Sequence, residues 1–255
     1  MQISDIYIIG SGNLSWHLTH LFVNEKLPVK GIWSKNKKTL EELANSAKVK
    51  ILNKHDIFKK TNSVYFLCVN DNSIETLAKK LKNNFLIHCS GSTDIQTIAK
   101  YTENAGVFYP LQTFTRKIKL GTTTIPILIE ATNDNVKQML INIANELKQP
   151  FYIFNSKERL LIHLSAVIAN NFSNFMITLA QDTLKCNNIN PSILNPLIEE
   201  TFIKAINYGA CNSQTGPAIR NDIITIKKHL NELNNEDLKK IYRFVTKNII
   251  KYYNK

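Results

Sequence analysis

Over its first 155 residues the chain alternates short apolar runs with segments whose apolar positions recur at helical spacing. Asp5–Ile9, Val29–Trp33, Ser63–Val69, Phe85–Cys89 and a run beginning at Val107–Tyr109 read as strands, and the continuous apolar ones suit a parallel sheet covered on both faces. Val49–Leu52, Thr122–Glu130 and Phe151–Phe154 complete the predicted strands. Helical spacing runs through Asn13–Asn24, Lys38–Ala47, the stretch from the cap-like cluster Asn70–Ser73 to Leu81, and Asn133–Leu147. This alternation predicts an α/β fold with a doubly wound, mostly parallel sheet.

Near Ser156 the strand signal stops. Lys157–Lys185, Ser192–Tyr208, Pro217–Leu233 and Asp237–Tyr253 read as four helices. Two domains are therefore expected: a nucleotide-binding domain over 1–155 and an all-α substrate and dimerisation domain over 156–255. The long helix is apolar nearly all round, so a buried position is expected for it. No apolar run reaches membrane-spanning length on this reading, and that helix is interrupted by His163 and several asparagines.

The first strand ends in Gly10-Ser11-Gly12 and a helix follows at once, with Ser15 at the third small position. Strand, glycine turn and helix together form the context of a dinucleotide fingerprint. Only 8 of the 255 residues are glycine, so two in one turn carry weight. Gly10, Ser11, Gly12, Asn13 and Leu14 are the candidates for the pyrophosphate, which suits a helix N-terminus. The second strand runs into Ser34-Lys35-Asn36, with no acid before Glu41. An NAD-selective site usually carries a carboxylate there, whereas hydroxyl, lysine and amide suit a 2′-phosphate. NADP(H) is therefore expected over NAD(H). Val69, Asn70 and Ser90, at the ends of neighbouring strands, are further cofactor candidates, and Gln112 is a substrate candidate.

On the long helix, His163, Asn170 and Asn174 form one stripe at ideal α-helical spacing, with Asn171 beside it. His163 suits proton transfer, and Asn170 or Asn171 could orient a reacting group. Ser213–Asp222 supplies Thr215, Gly216, Pro217, Arg220 and Asp222. With Thr215 as cap and Pro217 in the first turn, a helix opening there would cradle an anion beside Arg220.

Composition narrows the partners. The net charge is +12, but the lysines are spread along the chain, which argues against a nucleic-acid face. Cys68, Cys89, Cys186 and Cys211 lack metal-type spacing, no histidine cluster accompanies them, and no secretory signal precedes the first strand. A reduced cytoplasmic protein without a metal is expected.

The motifs GSGNLSWHL, FLIHCSGST, GVFYPLQTFT, HLSAVIANNFSNF and TGPAIRND, in this order, resemble a bacterial family of Rossmann-like proteins with a C-terminal helical domain of unknown function. That family is similar to pyrroline-5-carboxylate reductase and, more distantly, to the 6-phosphogluconate and β-hydroxyacid dehydrogenases. The resemblance implies NADP binding, a helical dimerisation domain, and ligand-facing roles for His163, Asn170, Asn171, Thr215, Gly216, Pro217, Arg220 and Asp222. The β-hydroxyacid dehydrogenases place a lysine, with an asparagine one turn on, where this helix has His163 and Val167. The serine- and glycine-rich substrate loop of pyrroline-5-carboxylate reductase is replaced by SQTGPAIRND. The expected activity is hydride transfer to or from a small anionic carbonyl or imine substrate. The alternative is a non-catalytic NADP(H) sensor or partner-binding protein.

Overall fold

Short apolar strands and amphipathic helices succeed one another as the sequence pattern requires. The computed structural model describes residues 5–58, 63–116, 118, 120 and 124–253. The chain runs β1 (Ile6–Ile9), α1 (Asn13–Asn24), β2 (Val29–Trp33), α2 (Lys37–Ala47), α3 (Lys54–Ile57), β3 (Val64–Leu67), α4 (Asp71–Lys80), β4 (Phe85–His88), α5 (Gln96–Ala99) and β5 (Ala105–Pro110). It continues through β6 (Ile127–Ala131), α6 (Asp134–Glu146) and β7 (Phe151–Ile153). The seven strands form one sheet in the order β2-β1-β3-β4-β5-β6-β7. Among the described strands, only the β5–β6 pairing is antiparallel. The order reverses direction between β1 and β3, which places a crevice at their carboxyl ends.

Both faces of the sheet are covered. Leu18 and Phe22 of α1, Leu40 and Leu43 of α2, and Leu140 and Ile143 of α6 pack on one side against Ile6, Ile8 and Phe66. Ile74 and Leu77 of α4 and Ile98 of α5 pack on the other against Ile9, Tyr65 and Leu67. Cys68 and Cys89 are buried, as small apolar residues at strand ends would be.

The predicted strand over Val49–Leu52 is reduced to one bridge, Ile32 to Ile51. Asn53 caps α3 immediately afterwards, accepting from the Asp56 amide, and the chain turns away before a ladder can grow. The predicted strand Thr122–Glu130 begins at Ile127, and Thr122 and Thr123 lie outside the described residues.

The chain divides into two compact units, Met1–Asn170 and Asn171–Lys255. The second is helical. α7 (Ser156–Ala166), a π-helical stretch (Val167–Phe172) and α8 (Ser173–Cys186) form one continuous 31-residue helix. A 3₁₀ turn (Pro191–Leu194), α9 (Asn195–Tyr208), α10 (Ala210–Ser213), α11 (Ile223–Glu232) and α12 (Glu236–Tyr253) follow. The opening of the long helix groups with the sheet because Arg159 ties it there. Arg159 is 1% exposed and is bound to the Glu130 carboxylate, the Thr93 carbonyl and Ser156.

Three expectations for this region are corrected. The long helix is not buried: Leu161, Leu164, Phe172 and Phe175 are all more than half exposed. Its apolar side is left uncovered by the described residues. By length and composition it also meets the measure of a membrane span, with a mean hydropathy of 1.4. The π-helical stretch, whose bonds reach one residue further than in an α-helix, shifts the helical phase, so the stripe drawn through His163, Asn170 and Asn174 does not hold across it.

Candidate functional site

The glycine turn is wedged between two neighbouring strand ends. Gly10 has a φ of 127°, and its amide donates to the Trp33 carbonyl at 2.8 Å. A side chain at Gly10 would overlap the Cys68 carbonyl, to which the Ser15 hydroxyl also donates. α1 then opens at Asn13, with Gly12 in the cap position and no side-chain cap bond. The turn borders a cleft of about 870 Å³. Gly10, Ser11, Gly12, Asn13, Ser34, Lys35, Asn36, Val69 and Asn70 all line it. Leu14 instead packs against the core, and Ser90 is not among the walls.

Hydroxyls gather at the end of β2. Ser11 donates to Ser34 at 2.8 Å and lies 2.6 Å from the Thr39 hydroxyl. Asn36 caps α2, its side chain accepting from the Thr39 amide. Lys35, Lys54, Lys80 and Arg116 face the cleft, and no carboxylate is among its described lining residues. A cleft with this donor set fits a phosphorylated nucleotide.

Arg116 has no role in the sequence reading because it arrives from a loop far along the chain. Its backbone amide donates to Asn13 at 3.2 Å. Its guanidinium stacks 4.7 Å over Trp16, donates to the Thr39 carbonyl, and pairs with Glu42 at 2.8 Å. Arginine occurs only four times in the chain, and that scarcity was the one available signal.

A second set of groups surrounds His163. Tyr109, near the end of β5, places its hydroxyl 3.0 Å from His163 Nδ1, and the rings meet edge to face. Burial pushes the Tyr109 phenol above its ordinary value. Gly91 lies against both rings: a Cβ there would come within 2.7 Å of the imidazole and 2.9 Å of Tyr109. The loop carrying Gly91 is fixed by Ser90, whose hydroxyl accepts from the amides of Ser92 and Thr93, and by Ser92, which donates to Asp71 at 2.5 Å. One helical turn before His163, Arg159 holds the helix to Glu130. Beneath this loop, burial and the Arg159 charge push His88 down to about 3, so it is neutral. Gln112, by contrast, turns to the adjacent backbone and accepts from the Thr113 amide.

In the helical unit the anion cradle expected at Thr215–Pro217 does not form. Pro217 to Asn221 are turn residues, and α11 starts at Ile223 with Asp222 as its cap. Asp222 accepts from the Thr225 amide and hydroxyl, which lowers its carboxyl pKa, with a smaller effect from Arg220. A left-handed Asn221 breaks the path between Pro217 and the helix, so proline cannot serve as the first helical residue. Gly216 takes a φ of 107°, and Arg220 is exposed. Asn170 and Asn171 are also exposed and fall on opposite sides of the unit boundary. Among the described residues no group of His, Cys, Asp and Glu is placed to hold a metal.

Residues 125–249 match the family model described as Domain of unknown function (DUF2520). No curated protein matches the sequence significantly. Among solved structures, BF3122 of Bacteroides fragilis, proposed to be an NADP oxidoreductase, is 27% identical; the match covers 98% of this chain and 99% of that one, with a TM-score of 0.89. An imine reductase variant from Myxococcus stipitatus, in complex with NAD+, is 13% identical over 99% of this chain and 95% of its own, with a TM-score of 0.67. A 1-pyrroline-5-carboxylate reductase from Streptococcus pyogenes is 13% identical over 99% of each chain, with a TM-score of 0.62. The last two likenesses establish the fold alone. The chain is thus a Rossmann-like α/β protein, similar along nearly its whole length to these oxidoreductase structures, with residues 125–249 matching the DUF2520 model.

Proposed function

We propose that the protein is an NADP(H)-dependent oxidoreductase acting on a small anionic carbonyl or imine substrate. The observation that carries this reading is the cleft at the glycine turn, whose described lining residues include three lysines and Arg116 and no carboxylate. Ser11, Ser34, Lys35 and Asn36 would receive the 2′-phosphate, and Gly10, Gly12 and Asn13 the pyrophosphate. The nicotinamide supplies hydride chemistry when bound. His163 would move the proton, since its Nε2 makes no hydrogen bond among the described residues. Asn170, in the same compact unit as His163, is the proposed orienting amide. Calorimetric titration with NADPH and NADH side by side tests the reading. Micromolar NADPH binding with much weaker NADH binding is expected, and no binding of either would overturn it.

A homodimer is part of the same proposal. Between Asn171 and Tyr253 only Ala218 and Ile226 are buried, so the helical unit has no core of its own. A helical layer must bury its apolar side against something. His163, Asn170, Asn171 and Asn174 along the long helix fit a protein partner better than lipid, and a second copy is the economical cover. The four free cysteines accord with a reducing, cytoplasmic setting.

A further inference from the structure

Tyr109 and His163 form a pair whose hydrogen has a determinable place. The phenol has one O–H to donate, and His163 Nδ1 is its only hydrogen-bond partner among the described residues. Were Nδ1 protonated, it would donate to the phenol oxygen, and that half-buried O–H would have no acceptor among the described residues, which is costly. Burial also keeps the phenol protonated near neutral pH. The phenol therefore donates to Nδ1, and the neutral imidazole carries its hydrogen on Nε2. Gly91 keeps the ring in this pose, because the imidazole occupies the space a side chain there would need.

We propose that Tyr109 holds His163 as the Nε2–H tautomer, so that the site presents a hydrogen-bond donor to a carbonyl oxygen and is mismatched to a protonated imine. A carbonyl oxygen accepts, whereas an iminium N–H donates and would meet another donor. This inference rests on the oxidoreductase reading and narrows its substrate class. In the reducing direction a bound reduced nicotinamide would supply hydride to the carbonyl carbon, its own C–H bond breaking as it is oxidised, and the C=O π pair would pass to oxygen. An O–H bond forms there as the Nε2–H bond breaks. Nδ1 takes the Tyr109 proton as that O–H breaks; after product leaves, Nδ1 returns it to the tyrosinate and Nε2 takes a proton from solvent, which restores the Nε2–H form. The net change is one hydride and one proton added to the substrate. A developing alkoxide is a stronger base than a buried tyrosinate, so the relay runs downhill. Tyr109 is a positioning residue that also relays the proton.

The test is nitrogen-15 NMR of the histidine rings in the full chain without cofactor, with His163 assigned from its loss in His163→Gln. The Nε2–H form should predominate in the wild type and give way to a mixture in Tyr109→Phe, which keeps the ring and removes the donor. A wild-type ring protonated on Nδ1, or an unchanged ratio in Tyr109→Phe, would overturn the inference. The second arm compares NADPH-driven turnover of small 2-oxo acids with that of cyclic imines. The oxo acids should be favoured, and Tyr109→Phe should lower kcat on them by about 100-fold with KM little changed. Faster turnover of an imine, or turnover of neither class, would overturn the carbonyl assignment. Failure to bind NADPH with the tautomer lock intact would bring down the oxidoreductase reading. Loss of the lock in a protein that oxidises NADPH would bring down this inference alone.

Discussion

The space that a side chain at Gly91 would need is filled by the imidazole of His163, whose Cγ and Nδ1 would lie 2.7 Å from the added carbon. Gly91→Ala must therefore push the ring off Tyr109 while leaving the nucleotide cleft untouched, since Gly91 is not among its walls. NADPH affinity should stay within about 2-fold, and turnover should fall by about 100-fold, the scale of a misplaced reacting group. His163→Ala should show the same split. Calorimetry paired with steady-state turnover checks both. A fully active Gly91→Ala would detach the contact from the chemistry.

Cofactor choice should respond to charge at the end of β2. Ser34→Asp places a carboxylate within the hydroxyl cluster, where it would repel a 2′-phosphate and accept from ribose hydroxyls. The ratio of NADPH to NADH affinity should fall at least about 10-fold, about 1.4 kcal/mol. Arg116→Ala should move the ratio in the same direction by removing a cleft cation. Ratios unchanged in both variants would place the phosphate elsewhere.

Acid stability should carry the mark of one buried imidazole. His88 is held at about 3 against an ordinary 6.5, by burial first and by Arg159 second. Below pH 6.5 the unfolded chain takes a proton that the folded chain refuses until about pH 3. The contribution is whole above 6.5 and is lost progressively as the pH falls. His88→Asn, which can still accept the Ser90 amide bond, should flatten the decline between pH 5.5 and 4 by about 1.4 kcal/mol per pH unit. Urea unfolding across that range decides it, and parallel slopes would clear His88 of the effect.

If a second copy covers the long helix, sedimentation at micromolar concentration should find a dimer. Phe175→Glu, at a position 54% exposed in the single chain, should shift it towards monomer. A wild-type monomer at every concentration would remove the dimer proposal.

What the sequence disclosed was mostly local. The Gly10 turn, the ends of β1 and β2 at Ile9 and Trp33, and the span of α1 follow from neighbouring residues, and the structure reproduces them. Features that depend on distant partners stayed hidden. Tyr109 looked like one more strand aromatic until β5 brought it to His163. The Arg159–Glu130 pair joins residues 29 positions apart. Proline's preference for a first turn ranks Pro217 above Asp222 as the start of α11, yet it is the Asp222 side chain that makes the cap. The long helix departs for another reason: its apolar periphery signals burial, and the described residues of the single chain do not cover it.

The anchoring of the long helix by Arg159 has a bearing on divergence. His163 follows one turn later, within the same compact unit as the glycine turn and Tyr109. On the proposed reading, proton and hydride chemistry share one scaffold that closes before residue 171. Descendants of this gene could then exchange, lengthen or retune everything after it and meet new metabolites without reinventing the reaction.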